Sequence, residues 1–292
     1  MTVRFDGQVA LVTGAGKGMG RAYALWMAER GAKVVVNNRV RPGQPSSAGE
    51  VVDEIRALGG EAVVDTHPVE DETSGTKMVQ TALDAFGRID IVVSNAGIME
   101  FDDFRELDLE AFRRTMDINF WGSVYPVMAA VPLLLEQGYG RIVMTTSSAG
   151  VYGQSKSAAY SASRAAVVGF ARSIAADTRD TSGFGINIVL PSAYTQASSS
   201  FHDPAHAEFM SPMRAAAVVG WLCSSDCTRS GLILHAGYGR VRRIQVFEGK
   251  VIDIPDEDLR LCWPDLDDMA GASEPVNSGV TGREMRSEIY AT

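Results

Sequence analysis

Cysteine is scarce in this chain, with Cys223, Cys227 and Cys262 the only three among 292 residues. They show no metal-ligand spacing and form no even-numbered disulfide framework, so they read as buried or idle thiols of a reducing compartment. Positive charge is also short, since 27 Lys and Arg against 36 Asp and Glu leave a net charge of −9. That excludes general nucleic-acid binding, which needs a basic face to neutralise phosphates. No run of about 18 consecutive apolar residues occurs, so no membrane partner is expected. The opening "MTVRFDGQVALVTG" lacks an apolar h-region and a small-residue cleavage site, which points to the cytoplasm. Internal repeats and low-complexity tracts are missing as well.

What is present is core-forming material, 46% of the residues being hydrophobic, enough for one large domain. Short apolar runs alternate with helical patterns. Strands are expected over 9–14, 33–38, 61–65, 89–97, 140–148, 185–191 and 231–237, and helices over 20–32, 47–60, 72–87 and 157–180. Residues 107–137 suggest two helices broken near Gly122. Continuous β-branched strands alternating with helices predict an α/β fold, a doubly wound parallel sheet of Rossmann type. This domain spans 1–240, and 241–292 form a C-terminal extension. In that extension 242–253 suggest a small hairpin about Glu248-Gly249 and "DEDLRLCWPDL" (256–266) a short acidic helix, with loose order from Ala270 onward.

"TGAGKGMG" (13–20) stands between the first strand and the first helix. Gly14, Gly18 and Gly20 give the spacing G-x-x-x-G-x-G, which permits a tight turn and close approach of backbone to a pyrophosphate at a helix N-terminus. Lys17 and Met19 lie in the same loop. Strand two ends without a carboxylate: Asn37 and Asn38 are followed by Arg39 and Arg41. A missing acid removes repulsion against a 2′-phosphate and cations attract it, so NADP(H) is favoured, with NAD(H) as the alternative.

Together "TGAGKGMG", "SNAG" (94–97), "DINFWG" (117–122), the Ser pair of "TTSSAG" and Tyr160 resemble the short-chain dehydrogenase/reductase family over residues 5–240. The stretches "VRFDGQVALVTGAGKGMGRAYALWMAERGA" and "ALDAFGRIDIVVSNAGI" are most similar to the (3R)-hydroxyacyl-CoA dehydrogenase unit of multifunctional enzyme type 2. The resemblance implies NAD(P)(H)-dependent interconversion of a secondary alcohol and a ketone. It assigns Asn119 to a water-linked proton path, Ser147 to the substrate oxygen and Tyr160 to proton transfer. Asn95, Ala96, Gly97, Tyr160, residue 164 and Tyr194 join the glycine loop, Asn38 and Arg39 as cofactor contacts. The implied partner is a small carbonyl or alcohol, in a pocket of Met99, Ala149, Val151, Tyr152, Gln154, Tyr194 and the 195–212 loop. Pairing of helices 122–137 and 157–180 implies a homodimer or homotetramer. His202 and His206 read as surface residues, while His67 stands where relatives have an adenine-binding Asp.

One position departs sharply from that pattern. The family has Lys four residues after the Tyr, and "YSASR" has Arg164. Arg carries a permanent charge, but its guanidinium is longer and wider than an ammonium and does not give up a proton. Ser192 also replaces the family Gly after strand six, and Thr195 falls one residue early. Two readings follow: an oxidoreductase with an adapted site, or a cofactor-binding homologue with little or no catalysis. Retention of Asn119, Ser147 and Tyr160 favours the enzyme.

Overall fold

A computed structural model describes residues 2–40, 43–252 and 268–273. The chain divides into two compact units, residues 1–243 and 244–292. Arg41, the expected acidic helix with Cys262, and residues 274–292 lie outside the described residues.

The first unit is built on β1 (Val9–Val12), β2 (Lys33–Asn37), β3 (Ala62–Asp65), β4 (Ile91–Ser94), β5 (Gly140–Thr145), β6 (Phe184–Ser192) and β7 (Ile233–Gly237). With β8 (Arg240–Ile244) they form one sheet in the order β3-β2-β1-β4-β5-β6-β7-β8. The first seven strands pair in parallel. Every residue of β1, β4 and β5 is buried, because helices cover both faces and leave no strand face for water. Helices α1 (Gly18–Ala28), α2 (Ser47–Ala57), α3 (Ser74–Phe86), α4 (Leu109–Met116), α5 (Gly122–Glu136), α6 (Ser148–Tyr152), α7 (Ala158–Asp177) and α8 (Pro212–Cys223) provide that cover. Capping fixes their ends: the Ser46 hydroxyl accepts from Gly49 N at the start of α2, and left-handed Gly87 stops α3.

Two expectations need correction. Residues 109–136 are one continuous helical run, because a π-helical turn over Asp117–Trp121 joins α4 to α5 where a break was expected. This run has the length and mean hydropathy (1.5) of a membrane span, yet half of its most apolar stretch is buried. It packs on α3 and α7 as a core helix does. The hairpin is also displaced. It joins β7 to β8 through Tyr238-Gly239, whose φ values of 55° and 71° suit a two-residue primed turn. Gly249 has no such left-handed φ, and Glu248 instead makes an isolated antiparallel bridge to Ser273.

Cys223 and Cys227 are buried free thiols beside the core. Burial pushes both upward from the ordinary thiol range, so neither is primed for reaction.

Candidate active site

Strand order reverses between β1 and β4, and the crevice beyond their carboxyl ends is where an open α/β sheet binds ligands. A cleft of about 860 Å³ lies there. Its floor is two loops tied together. The Thr13 hydroxyl accepts from Asn95 N (3.0 Å) and Ala96 N (3.1 Å), while the Asn95 amide donates to Thr13 O (3.0 Å). Gly14, at φ 63°, sits so close that a Cβ would lie 2.8 Å from Ala96 Cα. Only glycine satisfies both conditions.

The first turn of α1 faces this cleft through Gly18 and Met19. No side chain caps it and no acid stands in it, so its N–H groups are left for an anion. Gly18 has a left-handed φ of 56°, and an ideal Cβ there would only touch Thr195 at 3.6 Å. A dinucleotide pyrophosphate fits these residues. Gly16 belongs to the same design, since its Cβ would meet the Asn38 amide at 2.7 Å. Counting only the glycines at 14, 18 and 20 leaves it out.

At the far end the Asn38 amide donates to Ser47 Oγ (2.7 Å), and Arg39 pairs with Glu70 (3.1 Å). Asp65 is buried and fully engaged. It accepts from the Asn37 amide (2.7 Å), His67 N (3.1 Å) and Thr81 Oγ1 (2.9 Å), and pairs with His67 Nδ1 (2.9 Å). Gln44, Pro45, Ser47, Val69 and Glu70 also line this end. They come from the loops after β2 and β3 and, for Ser47, from the first residue of α2, and no residue pattern marks them in the sequence.

At the opposite end the cleft brings Ser147, Tyr160 and Arg164 together. Tyr160 is 7% exposed on α7, with the Phe101 ring 6.2 Å away. Arg164, one turn later, is 4% exposed, and its Cζ lies 5.6 Å from the Tyr160 ring centroid. Its Nη1 donates to Thr145 O (3.1 Å), while its Nε is buried without a partner. Ser147 caps α6, accepting from Ala149 N (3.2 Å), which leaves its hydroxyl proton free for a substrate oxygen.

Asn119 stands behind the cleft wall, fully buried in the π turn. Its side chain accepts from Ile98 N (2.8 Å) and donates to Ile98 O (3.0 Å) and Ser163 Oγ (3.1 Å). Its carbonyl accepts from Ser123 Oγ (2.7 Å). It therefore fixes the loop carrying Gly97 to the helix carrying Tyr160. Gly20 is likewise a packing residue, its Cβ position lying 2.7 Å from the Asn95 amide.

Tyr194 does not line the cleft, contrary to expectation. Ala193 and Thr195 do, and Tyr194 N is held by Met210 O at 2.8 Å. Ala149, Val151 and Tyr152 are also outside the lining, Ala149 because α6 buries it, and left-handed Gly153 turns the chain before Gln154, which does line the cleft. Tyr152 is 68% exposed. His202, read as a surface residue, lines the cleft.

The family described as short chain dehydrogenase matches residues 8–202. The chain is 36% identical over 283 residues to peroxisomal multifunctional enzyme type 2 of Drosophila melanogaster, covering 92% of this chain and 47% of that one. The chain thus spans about half the length of that relative. A 3-oxoacyl-[acyl-carrier-protein] reductase of Synechocystis is 40% identical over 185 residues, covering 63% of this chain and 73% of its own. A solved 7α-hydroxysteroid dehydrogenase, complexed with NADH and 7-oxo glycochenodeoxycholic acid, superposes with a TM-score of 0.73 at 29% identity. That match covers 81% of this chain and 95% of the other. The chain belongs to the short-chain dehydrogenase/reductase family, oxidoreductases that bind NAD(P)(H) and interconvert alcohols and ketones.

Proposed function

We propose that this chain interconverts a secondary alcohol and a ketone on a largely apolar body, with Tyr160 as the acid/base and Arg164 as its cation. The observation that carries this reading is the convergence of Ser147, Tyr160 and Arg164 on one cleft, with Arg164 nearly dry beneath the Tyr160 ring. A nicotinamide held in this cleft would supply the hydride chemistry. A free tyrosine has a pKa of about 10, so a proton passes to a carbonyl oxygen at neutral pH only where the phenolate is stabilised. Arg164 places a permanent positive charge beside the Tyr160 ring in a site where water screens little. Thr145 O fixes the guanidinium, Ser147 holds the substrate oxygen, and Asn119 keeps the Gly97 loop and α7 in register.

The preferred cofactor is NADP(H). β2 ends on Asn37 and is followed by Asn38 rather than a carboxylate, and among the described residues Arg39 pairs with Glu70, their side chains exposed by 43% and 30%. Such a pair is cheaply exchanged for a phosphate. Exposed Trp121 of the π turn and Met128 of α5 support a homodimer or homotetramer, which light scattering at micromolar concentration would test.

The test of the reaction is NAD(P)H absorbance across a ketone panel. Turnover in the wild type that disappears in Tyr160→Phe is expected. Cofactor binding without turnover on any ketone would favour the inert homologue, a reading that Arg164's commitment to Thr145 O makes worth testing.

A further inference from the structure

The charged side chains buried among the described residues are Asp65, Asp90, Arg141 and Arg164. The fold satisfies the first three locally. Asp65 is held by Asn37, His67 and Thr81. Asp90 accepts from Nε and Nη2 of Arg88 (2.9 and 2.6 Å) and from Val9 N (2.8 Å). Arg141 donates to the carbonyls of Ser224, Gly140 and Gly183 and lies over the Tyr139 ring.

Arg164 is the exception. It is 4% exposed and makes one hydrogen bond, from Nη1 to Thr145 O (3.1 Å), with the Tyr160 ring centroid 5.6 Å from its Cζ. Its Nε is buried without a partner, and Nη2 makes no hydrogen bond among the described residues. The acids that line the cleft are committed elsewhere, Glu70 to Arg39 (3.1 Å) and Glu100 to Arg114 (2.7 Å). A guanidinium taken out of water and left with a single carbonyl is a costly arrangement, and it attracts any anion that can reach it. Access exists here. Arg164 lines the cleft, and Nη2 lies against Gly97, an exposed residue with no side chain to cover it. Thr145 lines the cleft too, and its hydroxyl is likewise buried without a partner. Nε, Nη2 and Thr145 Oγ1 are thus three groups able to donate, set on two residues that are bonded to each other.

We propose that Arg164 and Thr145 form a site for a small monovalent anion such as chloride, and that this anion and the nicotinamide half of the cofactor exclude one another. One unpaired cation calls for one negative charge, and donors set this deep admit an ion of one or a few atoms. The exclusion rests on the oxidoreductase reading above, which brings the nicotinamide to Tyr160; the anion site itself does not.

The test uses the full chain saturated with ADP, which fills the adenine and pyrophosphate end and leaves the Tyr160 end open. Chloride is the probe, read by the NMR linewidth of the exchanging ion. The wild type should broaden the line, and Arg164→Met should lose about half of that broadening or more. NADPH in place of ADP should remove the same share. Equal broadening by wild type and Arg164→Met, or broadening that NADPH leaves intact, would overturn the proposal. A second measurement needs no variant. Exchanging gluconate for chloride at a constant ionic strength of about 0.1 M should raise the Kd of NADPH about threefold and leave that of ADP unchanged. An unchanged NADPH Kd, or equal rises for both nucleotides, would contradict it as well. The two readings fail separately. Chloride binding that depends on Arg164 and yields to NADPH, with no ketone turned over in gluconate, would sink the catalytic reading alone. Tyr160-dependent turnover without any chloride effect would sink only this one.

Discussion

The guanidinium of Arg164 lies directly against the α-carbon of Gly97. A Cβ on Gly97 would run into Nη2 and sit 2.9 Å from both Cζ of Arg164 and Oδ1 of Asn119. The longer cation therefore occupies the space above "SNAG", and glycine at position 97 is what admits it. Gly97→Ala should lower stability by about 1–3 kcal/mol, the usual cost of overpacking. Urea denaturation would measure it. Adding Arg164→Lys, which removes the guanidinium, should recover most of the loss; no recovery would mean that the Cβ clashes elsewhere.

Arg39 and Glu70 offer a test of cofactor choice. If Arg39 leaves Glu70 to meet a 2′-phosphate, Arg39→Ala should weaken NADPH binding by about two- to fivefold and leave NADH unchanged. Glu70→Gln should tighten NADPH in the same proportion. Fluorescence titration of both cofactors reads the difference, and tighter NADH binding by the wild type would reverse the assignment.

Much of this architecture was legible in the sequence. Continuous apolar strands such as "VALV" and "IVVS" announce a sheet covered on both faces, and Gly14 before a helix announces the cofactor end. Tyr160 and Arg164 are one helical turn apart, so their meeting follows from spacing. The misses have physical causes. Tyr194 was placed in the cleft by resemblance, but an extended chain alternates its faces, and Ala193 and Thr195 took that side. The Tyr238-Gly239 turn was hidden because tyrosine seldom adopts a left-handed φ. Ser47 reaches the cleft from the start of α2 and Val69 and Glu70 from the loop after β3, and Arg39's partner is 31 residues away, so local patterns carried no signal.

Asn119 should matter for stability as much as for turnover. Removing its amide in Asn119→Ala leaves the half-buried Ile98 N–H and C=O without these partners. A loss of about 2 kcal/mol is expected, read as a lower urea midpoint at constant slope. A full loss of turnover with an unchanged midpoint would give Asn119 a role in the chemistry instead of in scaffolding.

His235 predicts a pH effect of definite sign. Its folded-state pKa is lowered from 6.5, first by burial and then by Arg242. A histidine kept neutral in the fold binds fewer protons than in the unfolded chain. Its stabilising contribution is therefore present above the unfolded value and lost as pH falls from there through the lower folded value. The thermal midpoint of the wild type should fall between about pH 7 and about pH 5 more steeply than that of His235→Gln. Parallel curves would show that the ring titrates alike in both states.

The central claim is that Tyr160 moves the proton and Arg164 makes this feasible near neutrality. Its most direct test is the rate of NADPH-dependent ketone reduction in wild type, Arg164→Lys, Arg164→Met and Tyr160→Phe, with cofactor affinity measured in each. Arg164→Met and Tyr160→Phe should lose about a hundredfold or more, the usual weight of a positioned acid/base and its activation. Arg164→Lys should keep or raise the rate, since a compact ammonium retains the charge and vacates the space over Gly97. Wild-type turnover in both Arg164→Met and Tyr160→Phe would contradict the account and place the chemistry on other residues.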